Sequence, residues 1–302
     1  MRCLVTGSTG MLGTSLCQFL LERGHEVFGL TRGKSPRPPM KGEKALRGDL
    51  ARPDDIRQAV DAARPEVIFH TAALSDVDHC ETFPDEAYEV NGKASRHVAE
   101  AAAACGAVLF YISSDYVFDG EKKAPYREED ACHPINVYGK SKLLGEEYVR
   151  SSCKKHFIIR TSWLFGENRD SFVHHVLEWA GTRKEIPLVK DKWSIPTYTV
   201  DLAASLFLLL EKKVPFGVYH LTGGGDGCSW FEYGKQILAG RSRNNVTVVP
   251  ISLATLKRPA QRPPQTVLHI GKFVSAAGQE PRPWQEALKE YLALVTVPQN
   301  PS

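Results

Sequence analysis

Tyr138 and Lys142 stand four residues apart in "PINVYGKSKLLGEEY" (134–148). On a helix that spacing places both on one face. A free phenol titrates near pH 10 and is a poor proton donor at neutral pH. An ammonium beside it favours the phenolate and moves its pKa toward the working range, where general acid catalysis is most effective. Ser113 and Ser114 close the apolar run "VLFYISS" (108–114). A hydroxyl at such a strand end can donate to a carbonyl oxygen as negative charge develops on it. Alone, the pair says little: 10 tyrosines and 19 lysines in 302 residues produce roughly half a Y-x-x-x-K match by chance. The elements that carry it decide its meaning.

Those elements alternate. "CLVTG" (3–7), "EVFGL" (26–30), "EVIFHTAA" (66–73) and "VLFYISS" are continuous apolar runs, the pattern of parallel strands buried on both faces. Helical patterns at 11–23, 54–63, 85–105 and 137–151 lie between them. The alternation predicts an α/β fold built on a doubly wound, Rossmann-type parallel sheet, with right-handed crossovers. "HFIIRTSWLFG" (156–166) reads as a further strand, 167–193 as charged and irregular, 194–213 as a strand and a helix, and "GVYHLTGGG" (217–225) as one more strand. Prolines cluster beyond 226, as in "KRPAQRPPQ" (257–265). The expected division is a coenzyme-binding domain from 1–165 with 194–223, and a smaller α/β C-terminal substrate domain from 166–193 with 224–302.

At the head of the sheet, "VTGSTGMLG" places Gly7, Gly10 and Gly13 between the first strand and first helix. The first makes the tight turn, the second lets backbone approach a pyrophosphate, and the third allows close helix–sheet packing. The amides at the helix start then bind phosphate. After the second strand comes "LTRGKSPRP", with Arg32, Lys34 and Arg37 and no acid from 27 to 42. An acid there would accept from a ribose 2′-hydroxyl, whereas cations suit a 2′-phosphate, so NADPH is the expected coenzyme and NADH the alternative. Plain loop cations are the other reading. Asp49, in "RGDL", is placed either to accept from the adenine amine or to cap a turn.

The bulk properties exclude other classes. Hydrophobic content of 42%, charged content of 24% and a net charge of +3 describe a globular chain with no electrostatic case for nucleic acid or an anionic membrane. The longest apolar run, "LAASLFLLL" (202–210), is about half a membrane span. Seven scattered cysteines without C-x-x-C spacing suit a reducing compartment rather than a disulfide framework or a zinc site. His79, His174 and His175 lack metal-ligand spacing, so no metal is expected. The opening "RCLVTG" leaves no room for a signal peptide, and the cytoplasm is the expected location.

Taken together, "TGSTGMLG", "ISSDYVFDG" (112–120), "YREED" (126–130), "PINVYGKSKLLGE" (134–146), "RTSWLFG" (160–166) and "QRPPQTVL" (261–268) resemble the extended short-chain dehydrogenases/reductases, and within them the dTDP-4-dehydrorhamnose reductases. The resemblance implies NADPH-dependent reduction at C4 of a nucleoside-diphosphate 4-keto-6-deoxyhexose, dTDP-4-dehydro-L-rhamnose foremost. It puts the catalytic hydroxyl at Ser114, the proton donor at Tyr138, and a lysine that tunes it and holds the nicotinamide ribose at Lys142. Thr9, Met11, Leu12, Leu50, Ala72 and Ala73 join the glycines, Arg32 and Asp49 as expected coenzyme contacts. Asp115, Trp163 and Arg262 join Ser114 and Tyr138 on the substrate side, with Trp163 packing on the sugar or simply in the core. Asn91 is either a relay group or an internal helix hydrogen bond, and Trp230 is expected to pack. Ser15 replaces the acid through which some members share a magnesium ion between subunits, so a monomer or weak homodimer is expected. A regulatory subunit resembling methionine adenosyltransferase β, or an epimerase or reductase for another nucleotide sugar, fits the same tyrosine and lysine.

Overall fold

In a computed structural model describing residues 1–33, 37–168, 170–243 and 245–295, the first apolar run forms β1 (Arg2–Thr6). The chain then runs through α1 (Met11–Glu22), β2 (Glu26–Thr31), β3 (Lys44–Arg47), α2 (Pro53–Ala63) and β4 (Val67–His70). Two short helices, α3 (Val77–Thr82) and α4 (Pro84–Ala87), lead into α5 (Ala94–Cys105), β5 (Val108–Ser114), α6 (Val137–Ser152) and β6 (His156–Thr161). Next come β7 (Leu164–Phe165), α7 (Phe172–Thr182), β8 (Glu185–Val189), β9 (Trp193–Ser194), β10 (Thr197–Tyr198), α8 (Thr199–Glu211) and β11 (Gly217–His220). The last elements are β12 (Cys228–Ser229), α9 (Trp230–Ala239), β13 (Thr247–Ile251), α10 (Gly271–Ala277) and α11 (Trp284–Leu294).

Seven strands form one parallel sheet in the order β11-β6-β5-β4-β1-β2-β3. The order reverses between β1 and β4, and ligands of doubly wound sheets bind at the carboxyl ends of such a switch point. Both faces are covered. Leu12, Leu16 and Leu20 of α1 and Leu202 and Leu206 of α8 bury one face; Ile56 and Val60 of α2 and Val98 of α5 bury the other. A separate core gathers Phe165, Val176, Leu188, Tyr198, Tyr233 and Trp284, from elements between β7 and α11.

Local chemistry sets the element ends. Asn136 caps α6 by accepting from the Gly139 amide at 2.8 Å, which starts the helix one residue before Tyr138. Ser229 and Glu232 form a reciprocal capping box on α9.

The sequence expectations fail in three places. The single helix at 85–105 is interrupted by a π-turn over Tyr88–Lys93, which frees the Asn91 carbonyl to accept from Ser95 Oγ at 2.7 Å and the Tyr111 hydroxyl at 3.3 Å. The strand expected to run to 166 leaves the sheet after Thr161, because Trp163 adopts a left-handed backbone (φ 42°) and redirects the chain into the second core. The stretch 167–193, expected to be irregular, forms α7 and β8, whose apolar residues point into that core.

Candidate active site

The turn after β1 fits a dinucleotide. Gly7 has φ 66°, and a Cβ there would stand 2.8 Å from the Ala72 Cα, so the loop after β4 presses directly on it. A Cβ at Gly13 would collide with the Gly7 carbonyl. The start of α1 at Gly10 has no side-chain cap and no acid in its first turn, which leaves amides for an anion. Thr9 and Met11 are half-buried around this turn, whereas the Leu12 side chain points into the core. Ala72 is half-buried and Ala73 exposed at the opposite lip.

The cation loop is less basic than expected. Glu43, one residue beyond the acid-free stretch, folds back and accepts from Arg37 Nη1 at 2.8 Å and from the Met40 amide at 2.9 Å. Arg37 also donates to the Ser8 carbonyl at 2.9 Å, bracing the glycine turn from beneath. Arg32 is exposed at the end of β2, and Lys34 lies outside the described residues. Arg47, which the sequence reading passed over, is brought in by pairing: it registers with Thr31 across β2 and β3, and its guanidinium lies against Gly33. Asp49 Oδ1 accepts from the Ala51 amide at 3.0 Å, a turn bond, and Leu50 is half-buried beside it.

Adjacent strand residues face opposite sides, and this separates the two serines at the end of β5. Ser113 donates to the buried Glu146 at 2.6 Å. Glu146 also accepts from Arg160 Nε at 2.9 Å, Arg160 Nη2 at 2.8 Å and Arg150 Nη2 at 2.6 Å. Burial pushes this carboxyl up, but Arg160 foremost holds it below its ordinary value. Ser114 faces the other way, toward Tyr138, and donates to Asp115 Oδ1 at 3.1 Å.

Tyr138 is half-buried, with its ring edge-on to that of Tyr116 at 5.8 Å. Here the expected tuning is not what the structure shows. Burial foremost pushes the Tyr138 phenol well above its ordinary value, and Ser114 pulls part of the way back. Lys142 is itself buried, with Nζ 4.2 Å from the centre of the Tyr111 ring, and burial lowers its ammonium to about 7. Desolvation outweighs the attraction the spacing suggested. A raised phenol remains protonated, which is the form a proton donor needs.

The remaining expected residues are committed to partners. Asn91 accepts from the Leu74 amide at 2.8 Å and donates to the Leu74 carbonyl and Ser141 Oγ, each at 3.0 Å, pinning the loop after β4 to α6. Asp115 accepts from Ser114 with one oxygen and from Ser194 and Thr266 with the other. Arg262 holds Asp78 with both guanidinium nitrogens and donates to the Ala260 carbonyl. Trp163 is half-buried near Trp230 and Tyr233, with Lys192 Nζ 5.7 Å from its ring. Trp230 packs between Trp163 and Phe172. Ser15 bonds Thr199 Oγ1 at 2.8 Å, inside the chain. A cavity of about 600 Å³, lined by Trp193, Gln265, Val267 and Asp226 among others, contains none of the catalytic candidates.

A glycine turn at the switch point, with a serine at the end of β5 and a tyrosine and lysine on α6, is the arrangement of the extended short-chain dehydrogenase/reductase class. Within that class the chain belongs to the RmlD substrate binding domain family, which matches residues 1–297. It is 36% identical to the spore coat polysaccharide biosynthesis protein SpsK of Bacillus subtilis (strain 168), over 96% of each chain. It is also 36% identical to a dTDP-4-dehydrorhamnose reductase of Aggregatibacter actinomycetemcomitans, over 97% of this chain and 98% of the relative. Among solved structures, a dTDP-4-dehydrorhamnose reductase of Bacillus anthracis in complex with NADP superposes with a TM-score of 0.88, at 32% identity over 97% of this chain and 99% of that one. A UDP-glucose 4-epimerase of Thermus thermophilus in complex with NAD, 23% identical over 97% of this chain and 98% of that one with a TM-score of 0.83, shares the fold alone.

Proposed function

We propose that the protein is an NADPH-dependent reductase of the C4 carbonyl of a nucleoside-diphosphate 4-keto-6-deoxyhexose, converting dTDP-4-dehydro-L-rhamnose to dTDP-L-rhamnose. The observation that carries this reading is the Ser114 hydroxyl at the carboxyl edge of β5 set against the Tyr138 phenol of α6, in the same sheet whose first strand leads into the uncapped start of α1. NADPH, when bound, supplies the hydride. Gly7, Gly10 and the first amides of α1 hold its pyrophosphate, with Arg32 and Arg47 at the end of β2 and β3 serving the 2′-phosphate. Tyr138 gives its proton to the oxygen that becomes the new hydroxyl, Ser114 orients that oxygen, and Lys142 holds the nicotinamide ribose. Trp163 offers the sugar an aromatic face.

Relatives named for the same reaction support the substrate. Seven unpaired cysteines and the lack, among the described residues, of a helix able to cross a membrane support a cytoplasmic enzyme. We place it there as a monomer or weak homodimer. The deciding experiment is NADPH consumption with dTDP-4-dehydro-L-rhamnose by the wild type and Tyr138→Phe. A loss of about 10²-fold or more in kcat with NADPH affinity preserved is the expected result. NADPH binding without turnover of any nucleotide 4-keto-sugar would instead indicate a non-catalytic binding protein.

A further inference from the structure

A buried polar chain reaches the reacting hydroxyls from the second core. Ser114 Oγ donates to Asp115 Oδ1 at 3.1 Å. Asp115 Oδ2 accepts from Ser194 Oγ at 3.0 Å and from Thr266 Oγ1 at 2.5 Å. Thr266 Oγ1 in turn accepts from Lys192 Nζ at 2.7 Å. None of these five residues is more than 6% exposed. Asp115 follows β5 directly, whereas Ser194, Thr266 and Lys192 lie 77 to 151 positions further along the chain. A carboxylate taken out of water is costly unless it is paired and hydrogen-bonded, and here both the charge and two of the hydroxyls come from distant segments.

We propose that Asp115 is a positioning residue for the reaction: it fixes the direction of the Ser114 hydroxyl, and Lys192, Thr266 and Ser194 fix Asp115, so that seating of the second core against β5 completes the carbonyl-binding side of the site. Ser114 has one proton and accepts from the Tyr116 amide at 3.2 Å as well as facing Tyr138. Without substrate that proton points at the Asp115 carboxylate, a charged acceptor, and this bond fixes the position from which the Ser114 oxygen meets the substrate carbonyl. If Asp115 loses its partners it turns, and Ser114 turns with it. An error of this kind at a reacting group costs about 10²-fold when it reaches 1 Å.

Charge on Lys192 keeps Asp115 in place. Burial lowers its ammonium to about 8, Asp115 holds it up and Arg262 pushes it down. The rings of Tyr116 and Trp163 flank it at 5.2 and 5.7 Å, and the Tyr138 phenol stands beyond Ser114. The lysine is therefore charged below about pH 8 and loses its charge above it, leaving Asp115 without its counter-ion.

This inference rests on the reductase reading. The experiment measures kcat, the KM for the nucleotide 4-keto-sugar and the NADPH dissociation constant across pH 6 to 9, for the wild type, Thr266→Val, Lys192→Met and Lys192→Arg. The expected result is a kcat about tenfold or more lower in Thr266→Val and Lys192→Met, with KM and NADPH binding within about twofold. The wild type loses kcat above about pH 8. Lys192→Arg recovers part of kcat and lacks that alkaline loss, because a guanidinium does not deprotonate there. Wild-type kcat in a folded Thr266→Val, which is nearly isosteric, overturns the inference even if Lys192→Met fails to fold. A wild type that turns over no 4-keto-sugar overturns the reductase reading and this inference with it, whereas turnover unaffected by the substitutions overturns the inference alone.

Discussion

Lys142 Nζ lies over the Tyr111 ring, 4.2 Å from its centre, one turn along α6 from Tyr138 and on the sheet side of that helix. The ring face attracts the ammonium, yet burial dominates and lowers it to about 7.

Lys142 therefore costs stability. Its pKa falls from 10.5 unfolded to about 7 folded, so the unfolded chain binds more protons between those values and stability rises with pH across that window. Below pH 7 the full penalty is present, several kcal/mol by the usual conversion of about 1.4 kcal/mol per pH unit. Lys142→Met is expected to melt higher than the wild type at pH 6, with the gain shrinking toward pH 10, and to be inactive. Calorimetry at the two pH values checks this; an equal or lower melting point at pH 6 would falsify it.

Glu146 and Arg160 are 0% and 2% exposed and share two hydrogen bonds, with Ser113 satisfying the same carboxylate. Removing one partner strands the other charge, at a cost of about 3–5 kcal/mol. Arg160→Met should thus lower the urea midpoint sharply, and adding Glu146→Gln to it should restore part of the loss. Additive losses in the double variant would show that the two residues act independently.

His70 and His220 are buried and neutral. Burial foremost lowers each to about 3, with Lys142 adding to the effect at His70 and Arg160 at His220. The unfolded chain takes up a proton at each below about 6.5 while the folded protein does not. Their contribution is complete above pH 6.5 and is lost as pH falls toward 3, at about 1.4 kcal/mol per pH unit for each histidine. His220 Nε2 has no hydrogen-bond partner and Nδ1 meets the Tyr126 carbonyl at 3.1 Å, so His220→Phe gives up one buried hydrogen bond and should flatten the acid limb of stability between pH 6 and 4. An unchanged slope in urea titrations would refute the assignment.

Asp78 accepts from both terminal nitrogens of Arg262, so if Arg262 serves a substrate diphosphate the two anions compete for it. Asp78→Asn weakens that lock, and the nucleotide-sugar KM is expected to fall about threefold or more, while Arg262→Lys raises it because an ammonium lacks the planar fork. If Asp78→Asn only lowers the melting point and leaves KM alone, the pair is structural.

Strand–helix alternation, the Gly7–Gly10–Gly13 turn, and Tyr138 with Lys142 on one helix face were legible because each depends on neighbours within a few residues. Periodicity and chain stiffness decide such features locally. Less was legible where the outcome depends on desolvation. The i, i+4 spacing says that Tyr138 and Lys142 share a face, but burial, which only the folded sheet imposes, sets both of their pKa values.

By itself, then, the sequence determined the doubly wound class and the glycine turn after its first strand, and it put Tyr138 and Lys142 forward on one helix. Tertiary structure alone decided which of two adjacent serines faces Tyr138, that Glu43 returns to hold Arg37, that Arg47 lies against Gly33, and that Lys192 and Thr266 close on Asp115. The physical reason is separation along the chain. The Asp115 hydrogen bonds to Ser194 and Thr266 span 79 and 151 residues. No local pattern encodes such a meeting; it exists only once two cores have packed and expelled the water between them.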